Sequence, residues 1–205
     1  MRKSITILLI TLIMSATVTN ASSLSFYDLS DYGWAQGAVY RLAEKGVIQG
    51  VAPHTYAPGS YVSRAELCTL LHRIFKIGGS GLISYPDVSA DSYYYESSAA
   101  FKALGILKDH PDGGFHPDDA VTREETMRLT GFLLERFGFA ENPDVSCLEA
   151  FYDSGLISPE NAGYCSLLIE NGYITGDGAG QLNPSGYLTR AETAVILDRI
   201  YSKIF

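Results

Sequence analysis

One spacing recurs three times along this chain and fixes most of what it can fold into. Three tripeptides, Ser63-Arg64-Ala65, Thr122-Arg123-Glu124 and Thr189-Arg190-Ala191, each run into a glutamate: Glu66, Glu125 and Glu192. Six residues before each arginine stands a proline (Pro58, Pro117, Pro184), and eighteen before it a glycine (Gly46, Gly105, Gly172). Thirty-six or thirty-seven residues before it stands an aspartate (Asp28, Asp87, Asp153), itself preceded at two residues by an aromatic (Phe26, Tyr85, Phe151). Four landmarks at matched offsets, three times over, mark an internal repeat. The arginines are 59 and then 67 residues apart, longer than a usual solenoid period. Three such units can bury a common core that one alone cannot.

Each unit reads as helix, loop, helix. Trp34, Ala38, Arg41 and Leu42 fall at helical spacing, with Ala35 and Val39 widening the apolar face. Gly46 is placed to end that helix in the left-handed conformation, and Gly105 and Gly172 repeat it. A short apolar step and a loop containing Gly and Pro follow. Ser63, Thr122 and Thr189 are natural N-caps for the second helix, and the glutamate three residues on completes a capping box. The expected fold is therefore mainly all-α, with repeats at 24–82, 83–143 and 144–205.

Each arginine occupies the first helical position, where the macrodipole disfavours a cation by a few tenths of a kcal/mol. Two accounts stay open. The guanidinium forks onto a ligand carboxylate or phosphate beside free backbone donors. Or it forms an internal salt bridge, to Asp28, Asp87, Asp153 or a capping glutamate.

The formal net charge of −8 argues against nucleic acid and against nonspecific binding to anionic lipid. An anionic partner must then be held by a few placed cations. Arg2 and Lys3, the apolar run Ile5 to Met14 and the small residues ending at Ala21 read as a signal peptide over residues 1–21. An exported chain free of the membrane after cleavage is the expectation. Export permits disulfides, so Cys147 and Cys165 could pair and leave Cys68 over; equally, all three could be buried thiols.

Other signals fail. The stretch Asp109 to Gly114 does not match calcium-loop spacing, and Gly176 to Gly180 lacks a P-loop lysine. His54, His72, His110 and His116 show no spacing to a nucleophile. No catalytic pair, metal or cofactor is expected, and catalytic groups rarely recur in three equivalent places. The 14 tyrosines include Tyr93-Tyr94-Tyr95, Tyr56 and Tyr61 near loops or helix starts, suited to sugar faces or to packing under loops.

The combined pattern resembles the S-layer homology family. The first repeat carries Phe26-Tyr27-Asp28, Trp34-Ala35, Gly46-Val47-Ile48-Gln49-Gly50, Tyr56-Ala57-Pro58 and Ser63-Arg64-Ala65-Glu66. The third carries Phe151-Tyr152-Asp153, Gly172-Tyr173-Ile174-Thr175-Gly176, Leu182-Asn183-Pro184 and Thr189-Arg190-Ala191-Glu192. The second carries Tyr85-Pro86-Asp87, Gly105-Ile106-Leu107, Phe115-His116-Pro117 and Thr122-Arg123-Glu124-Glu125. The resemblance implies a monomeric, pseudo-threefold, three-pronged spindle around a central three-helix bundle. It implies non-covalent binding of a secondary cell-wall polysaccharide, often pyruvylated, at the surface of a bacterium. The ligand-binding residues it implies are Arg64, Arg123, Arg190, Trp34, Asp28, Asp87, Asp153, Gly50 and Gly176.

Departures from the family pattern cluster in the second repeat. Trp34 is matched by Tyr93 and Glu160, Gly50 by Asp109, and the alanine after the arginine by Glu124. The groove using the second repeat's loop is thus expected to be degenerate, with the second arginine the weakest clamp. These acidic residues, and the lack of room within this sequence for the cargo such domains commonly tether, support an alternative: an extracellular protein-interaction or assembly component.

Overall fold

The computed structural model describes residues 25–78, 81–107, 110–141 and 144–205. The signal-peptide segment and Asp109 lie outside them. Six α-helices carry the fold: α1 (Gly33–Glu44), α2 (Arg64–Phe75), α3 (Tyr95–Leu104), α4 (Arg123–Arg136), α5 (Ala162–Glu170) and α6 (Arg190–Ile204). The chain is all-α, two helices to a repeat, with short 3-10 turns before α1 and α5.

The local signals act as their chemistry requires. Ser63, Thr122 and Thr189 each accept a hydrogen bond from the backbone N–H of the glutamate three residues on, at 3.1–3.3 Å. Glu66 and Glu192 return the bond to the cap N–H and close full boxes. Glu125 instead turns its carboxylate to another repeat. Gly46, Gly105 and Gly172 all stand at φ near +70°, the left-handed conformation that ends a helix. The buried stripe of α1 is Ala35, Ala38, Val39 and Leu42. Trp34 does not join it; the indole is 59% exposed.

Helices pair across repeats. The most extensive packing sets α3 on α2, α5 on α4, and α1 on α6. Each first helix thus lies on the second helix of the preceding repeat, and α1 on α6 closes the series into a ring. The second helices are innermost, with α2 touching α4. A cyclic set of backbone bonds marks the axis: Val62 N–H donates to the Leu188 carbonyl (2.9 Å), Leu188 N–H to Val121 (3.4 Å), and Val121 N–H to Val62 (3.2 Å). All three side chains are fully buried in one continuous core.

The ring also saturates the start of each second helix. Arg64 and Ala65 N–H groups bond the carbonyls of Asp119 and Pro117; Arg123 and Glu124 bond Gly186 and Pro184; Arg190 and Ala191 bond Ser60 and Pro58. The first two donors of each helix are spent on the next repeat's loop, and the third on its own cap. This corrects the expectation of free backbone donors beside the arginines.

All three cysteines are thiols in the structure. Cys68 and Cys165 are buried, and burial pushes the Cys165 thiol up to about 12. Cys147 Sγ points at the Ser166 carbonyl, 3.9 Å away.

Candidate functional site

The aspartate of each repeat holds its loop. Asp28 accepts hydrogen bonds from Tyr56 and Ala57 N–H, Asp87 from Phe115 and His116, and Asp153 from Leu182 and Asn183, all at 2.7–3.1 Å. The second residue of each pair, Ala57, His116 or Asn183, sits at φ of 54–58°, a conformation that costs a non-glycine residue roughly 1–2 kcal/mol. The charged acceptor offsets that strain, and the following proline is thereby aimed at the next helix. Burial pushes the Asp87 carboxyl up, but the amides of Phe115 and His116 together outweigh it and hold it below its ordinary value. A depressed carboxylate contributes stability at higher pH that is lost as pH falls through the folded value. The amide resonances of Phe115 and His116 are therefore expected to shift together on acid titration, with a midpoint below the usual aspartate range. A midpoint at or above that range would contradict the clamp.

Gly50 and Gly176 are required by close approach. A Cβ on Gly50 would lie 2.6 Å from the Thr55 carbonyl oxygen and 2.7 Å from the Phe26 ring. On Gly176 it would lie 2.6 Å from the Phe151 ring and 2.7 Å from the Gln181 oxygen. Each glycine lets the repeat's opening aromatic pack under the loop.

Three grooves lie between the prongs, each assembled from all three repeats. The first, about 350 Å³, joins Arg190 to the first loop (Gln49, Gly50, Tyr56), to Glu66 and Arg73 on α2, and to Tyr93. The second, also about 350 Å³, joins Arg64 to His110, Pro111, Glu124, Glu125, Arg128, Ser158 and Asn161. The third, about 260 Å³, joins Arg123 to the third loop (Thr175, Gly176, Asn183), to Glu192 and Arg199, and to Trp34 on α1.

The arginines are not equivalent. Arg190 is buried, pairs through Nη1 with Glu66, donates from Nε to the Tyr56 carbonyl (2.8 Å) and from Nη2 to Gln49 (3.2 Å), and lies 4.7 Å above the Tyr56 ring. Tyr56 Oη bonds the Arg190 carbonyl in return (3.0 Å), and burial pushes that phenol up to about 12. Arg64 is likewise buried, pairs with Glu125 at 2.8 Å and lies over Phe115 at 5.6 Å. Arg123 is looser. Nη2 donates to the Thr175 carbonyl (2.9 Å), while Nε is buried without a partner among the described residues. Burial lowers its pKa, against the raising pull of Glu192. Its matching ring position is Leu182, so the aromatic that lies under Arg190 and Arg64 has no counterpart at that position. For Arg64 and Arg190, of the two open accounts, the partner is a capping glutamate of the next repeat.

A second arginine enters each groove, which the sequence reading missed. Arg73 and Arg199 donate to the carbonyls of Val47 and Tyr173 at 2.9 and 3.1 Å. Both stand nine residues after the motif arginine, so the ruler carried the signal. Arg128, only five residues after Arg123, reaches the equivalent carbonyl of Ile106 from the preceding turn.

The groove assignment also changes. The second repeat's loop and Glu124 meet Arg64, not Arg123. Glu124 Oε1 accepts from Ser158 N–H (2.9 Å) and Asn161 Nδ2 (2.6 Å), a carboxylate set in the groove wall. Arg123 faces the third loop with its glycine intact and the exposed Trp34 opposite. Asp28, Asp87 and Asp153 line none of the three grooves described.

Comparison with known proteins agrees with this architecture. The family profile described as the S-layer homology domain matches residues 25–68, 84–127 and 150–194. The chain is 31% identical over 197 residues to the surface-layer 125 kDa protein of Lysinibacillus sphaericus, covering 94% of this chain and 16% of that one. It is 27% identical over 182 residues to the amylopullulanase of Thermoanaerobacterium thermosulfurigenes, covering 87% and 10%. With the cellulosome-anchoring protein of Acetivibrio thermocellus it shares 30% identity over 121 residues, 56% and 27% of the two chains. The chain thus spans less than a third of the length of each of these relatives. Three matched segments on one ruler, closed into a ring by their own loops, show that the chain belongs to the S-layer homology domain family.

Proposed function

We propose that this protein is a non-enzymatic wall-binding module, acting outside a bacterial cell, that docks non-covalently onto a carboxylate-bearing secondary cell-wall polysaccharide such as a pyruvylated one. The observation that carries this reading is the third groove. Arg123 offers a partly buried guanidinium with one hydrogen bond, facing an exposed indole across a glycine-lined loop. A guanidinium forks onto carboxylate and a flat ring lies against a sugar face. The chain carries a formal net charge of −8, so capture of an anion depends on such placed cations. The first groove, with Arg190, Arg73 and Tyr93, is the second candidate, its arginine more committed to the protein. The relatives' names, a surface-layer protein and a cellulosome-anchoring protein among them, support attachment at the cell surface.

The protein is expected to co-sediment with purified wall sacculi and to lose binding when the polymer or its acidic substituent is stripped. Trp34→Ala and Arg123→Ala should each weaken binding roughly tenfold, about 1.4 kcal/mol, with Arg64→Ala changing it less. Equal binding to stripped walls would defeat the proposal. The second groove favours a second reading, protein interaction, because Glu124 and Glu125 line it; a partner recovered without wall polymer would support that instead.

A further inference from the structure

The loop of the second repeat carries a side-chain cluster with no counterpart among the described residues of the other two. We propose that His110, His116 and Asp119 bind a divalent transition-metal ion of the zinc class. Along the sequence these residues match no metal motif; the fold brings them together. Asp119 Oδ2 lies 3.9 Å from His110 Nε2 and 3.7 Å from His116 Nδ1, and the three ligand atoms all fall within 4.8 Å of one another. Ligands on a tetrahedral zinc at bond lengths of about 2.0–2.2 Å stand about 3.4 Å apart. The two distances from Asp119 are therefore a few tenths of an ångström wide of a closed site, and the two imidazole nitrogens must also draw together from a separation of up to 4.8 Å. The two imidazoles stack at 3.9 Å, so one ring must also turn to converge on an ion.

The surroundings hold two of the ligands, His116 and Asp119, in advance, so His110 is the ring that turns. His116 Nε2 is 2.9 Å from both Asp112 oxygens, which places the proton on that nitrogen and leaves the Nδ1 lone pair toward Asp119. A carboxylate behind a ligating histidine fixes tautomer and ring orientation in metal sites. Asp112 is itself held by Gly114 N–H at 2.9 Å. The His116 backbone is pinned by Asp87, and Asp119 N–H returns to the His116 carbonyl at 3.2 Å. The gap between Nδ1 and Asp119 calls for a cation, either a proton, which the carboxylates of Asp112 and Asp119 favour on this imidazole, or a metal ion that displaces it. Imidazole donors select the zinc group over calcium or magnesium. The matching positions for His110 and His116 are Val51 and Ala57 in the first repeat, and Asp177 and Asn183 in the third. His110 also lines the Arg64 groove, so a bound ion would add positive charge beside Glu124 and Glu125.

The test is calorimetric titration of the protein with zinc chloride in a non-chelating buffer at pH 7, after stripping with a chelator. One ion per chain is expected. His116→Ala and Asp119→Asn should each weaken binding by at least about tenfold, and Asp112→Asn by about 10–100-fold. His54→Ala should leave it unchanged, and calcium chloride should give no comparable heat. Circular dichroism melting of each metal-free variant establishes that it folds; Asp119 is exposed, so its conservative variant keeps the test open if His116→Ala does not fold. Absence of zinc binding, binding unaltered in Asp119→Asn, or equal binding of calcium would overturn the proposal.

Discussion

Replacing Arg190 with alanine is expected to lower the unfolding free energy by about 3–5 kcal/mol, the usual cost of removing one partner from a buried ion pair. The side chain is 9% exposed and its partner Glu66 22%. Its loss leaves the carbonyls of Tyr56 and Gln49 without their guanidinium donors and empties the space above the Tyr56 ring. For a domain of this size that corresponds to a fall in melting temperature of roughly 6–20 °C. Arg123→Ala should cost less, about 1.5–3 kcal/mol, because one hydrogen bond from the guanidinium to a carbonyl is lost and no ion pair among the described residues is broken. Thermal melts of the two variants check the contrast, and a double-mutant cycle with Glu66→Gln apportions the ion-pair share. Equal losses for the two arginines would refute the inequivalence of the grooves. The contrast bears on any wall-binding assay: lost sedimentation in Arg190→Ala reports on fold as well as ligand, whereas Arg123→Ala and Trp34→Ala report on the ligand.

The parts of this structure that chain neighbours dictate were legible in the sequence. The caps at Ser63, Thr122 and Thr189, the left-handed glycines and the α1 stripe of Ala35, Ala38, Val39 and Leu42 depend on residues within four positions and are where their patterns placed them, whereas Trp34 and Arg41, at the same helical spacing, stay exposed. What a repeat ruler cannot carry is pairing between repeats. It aligns Arg123 with Glu124 because they adjoin in sequence, yet the helix start splays them into different grooves. Arg123 faces the third loop, while Glu124 stands in the wall opposite Arg64. The sequence presents the aspartates as ligand or salt-bridge groups because a buried backbone amide leaves no mark on composition; the structure shows them holding loop residues in a strained conformation. The donors imagined free at the helix starts are consumed by carbonyls of a loop more than fifty residues away for α2 and α4, and more than one hundred and twenty away for α6. The histidine cluster went unread for a related reason, since the turn through Gly113 and the left-handed His116 fold a ten-residue segment back on itself.

The same cyclic pairing predicts how the molecule fails. A fragment carrying only the first two repeats, residues 24–143, is expected to show no cooperative melt. A linear solenoid that loses a terminal repeat gives up one interface and keeps the rest folded. Here both ends are laid open. Without α6, the buried face of α1 loses its chief support, exposing Val39 and Leu42 at about 1.5–3 kcal/mol each. Arg41 loses Asp198, which it grips through Nε and Nη2 at 3.0 and 2.5 Å. Val62 N–H loses Leu188, and the Pro58 and Ser60 carbonyls lose their donors from the start of α6. At the other end α4 loses α5, while Arg123 and Glu124 N–H lose Gly186 and Pro184. Five backbone bonds at about 1 kcal/mol each, added to the apolar terms, match the 5–15 kcal/mol that holds a whole domain of this kind. Far-UV circular dichroism against temperature and urea checks the expectation on the fragment and the full chain side by side. A sharp transition in the fragment would show that the repeats fold independently, and the closed ring would then be a packing arrangement without cooperative consequence. A broad, non-cooperative melt would mean that each groove, built from three repeats, exists only when all three are present.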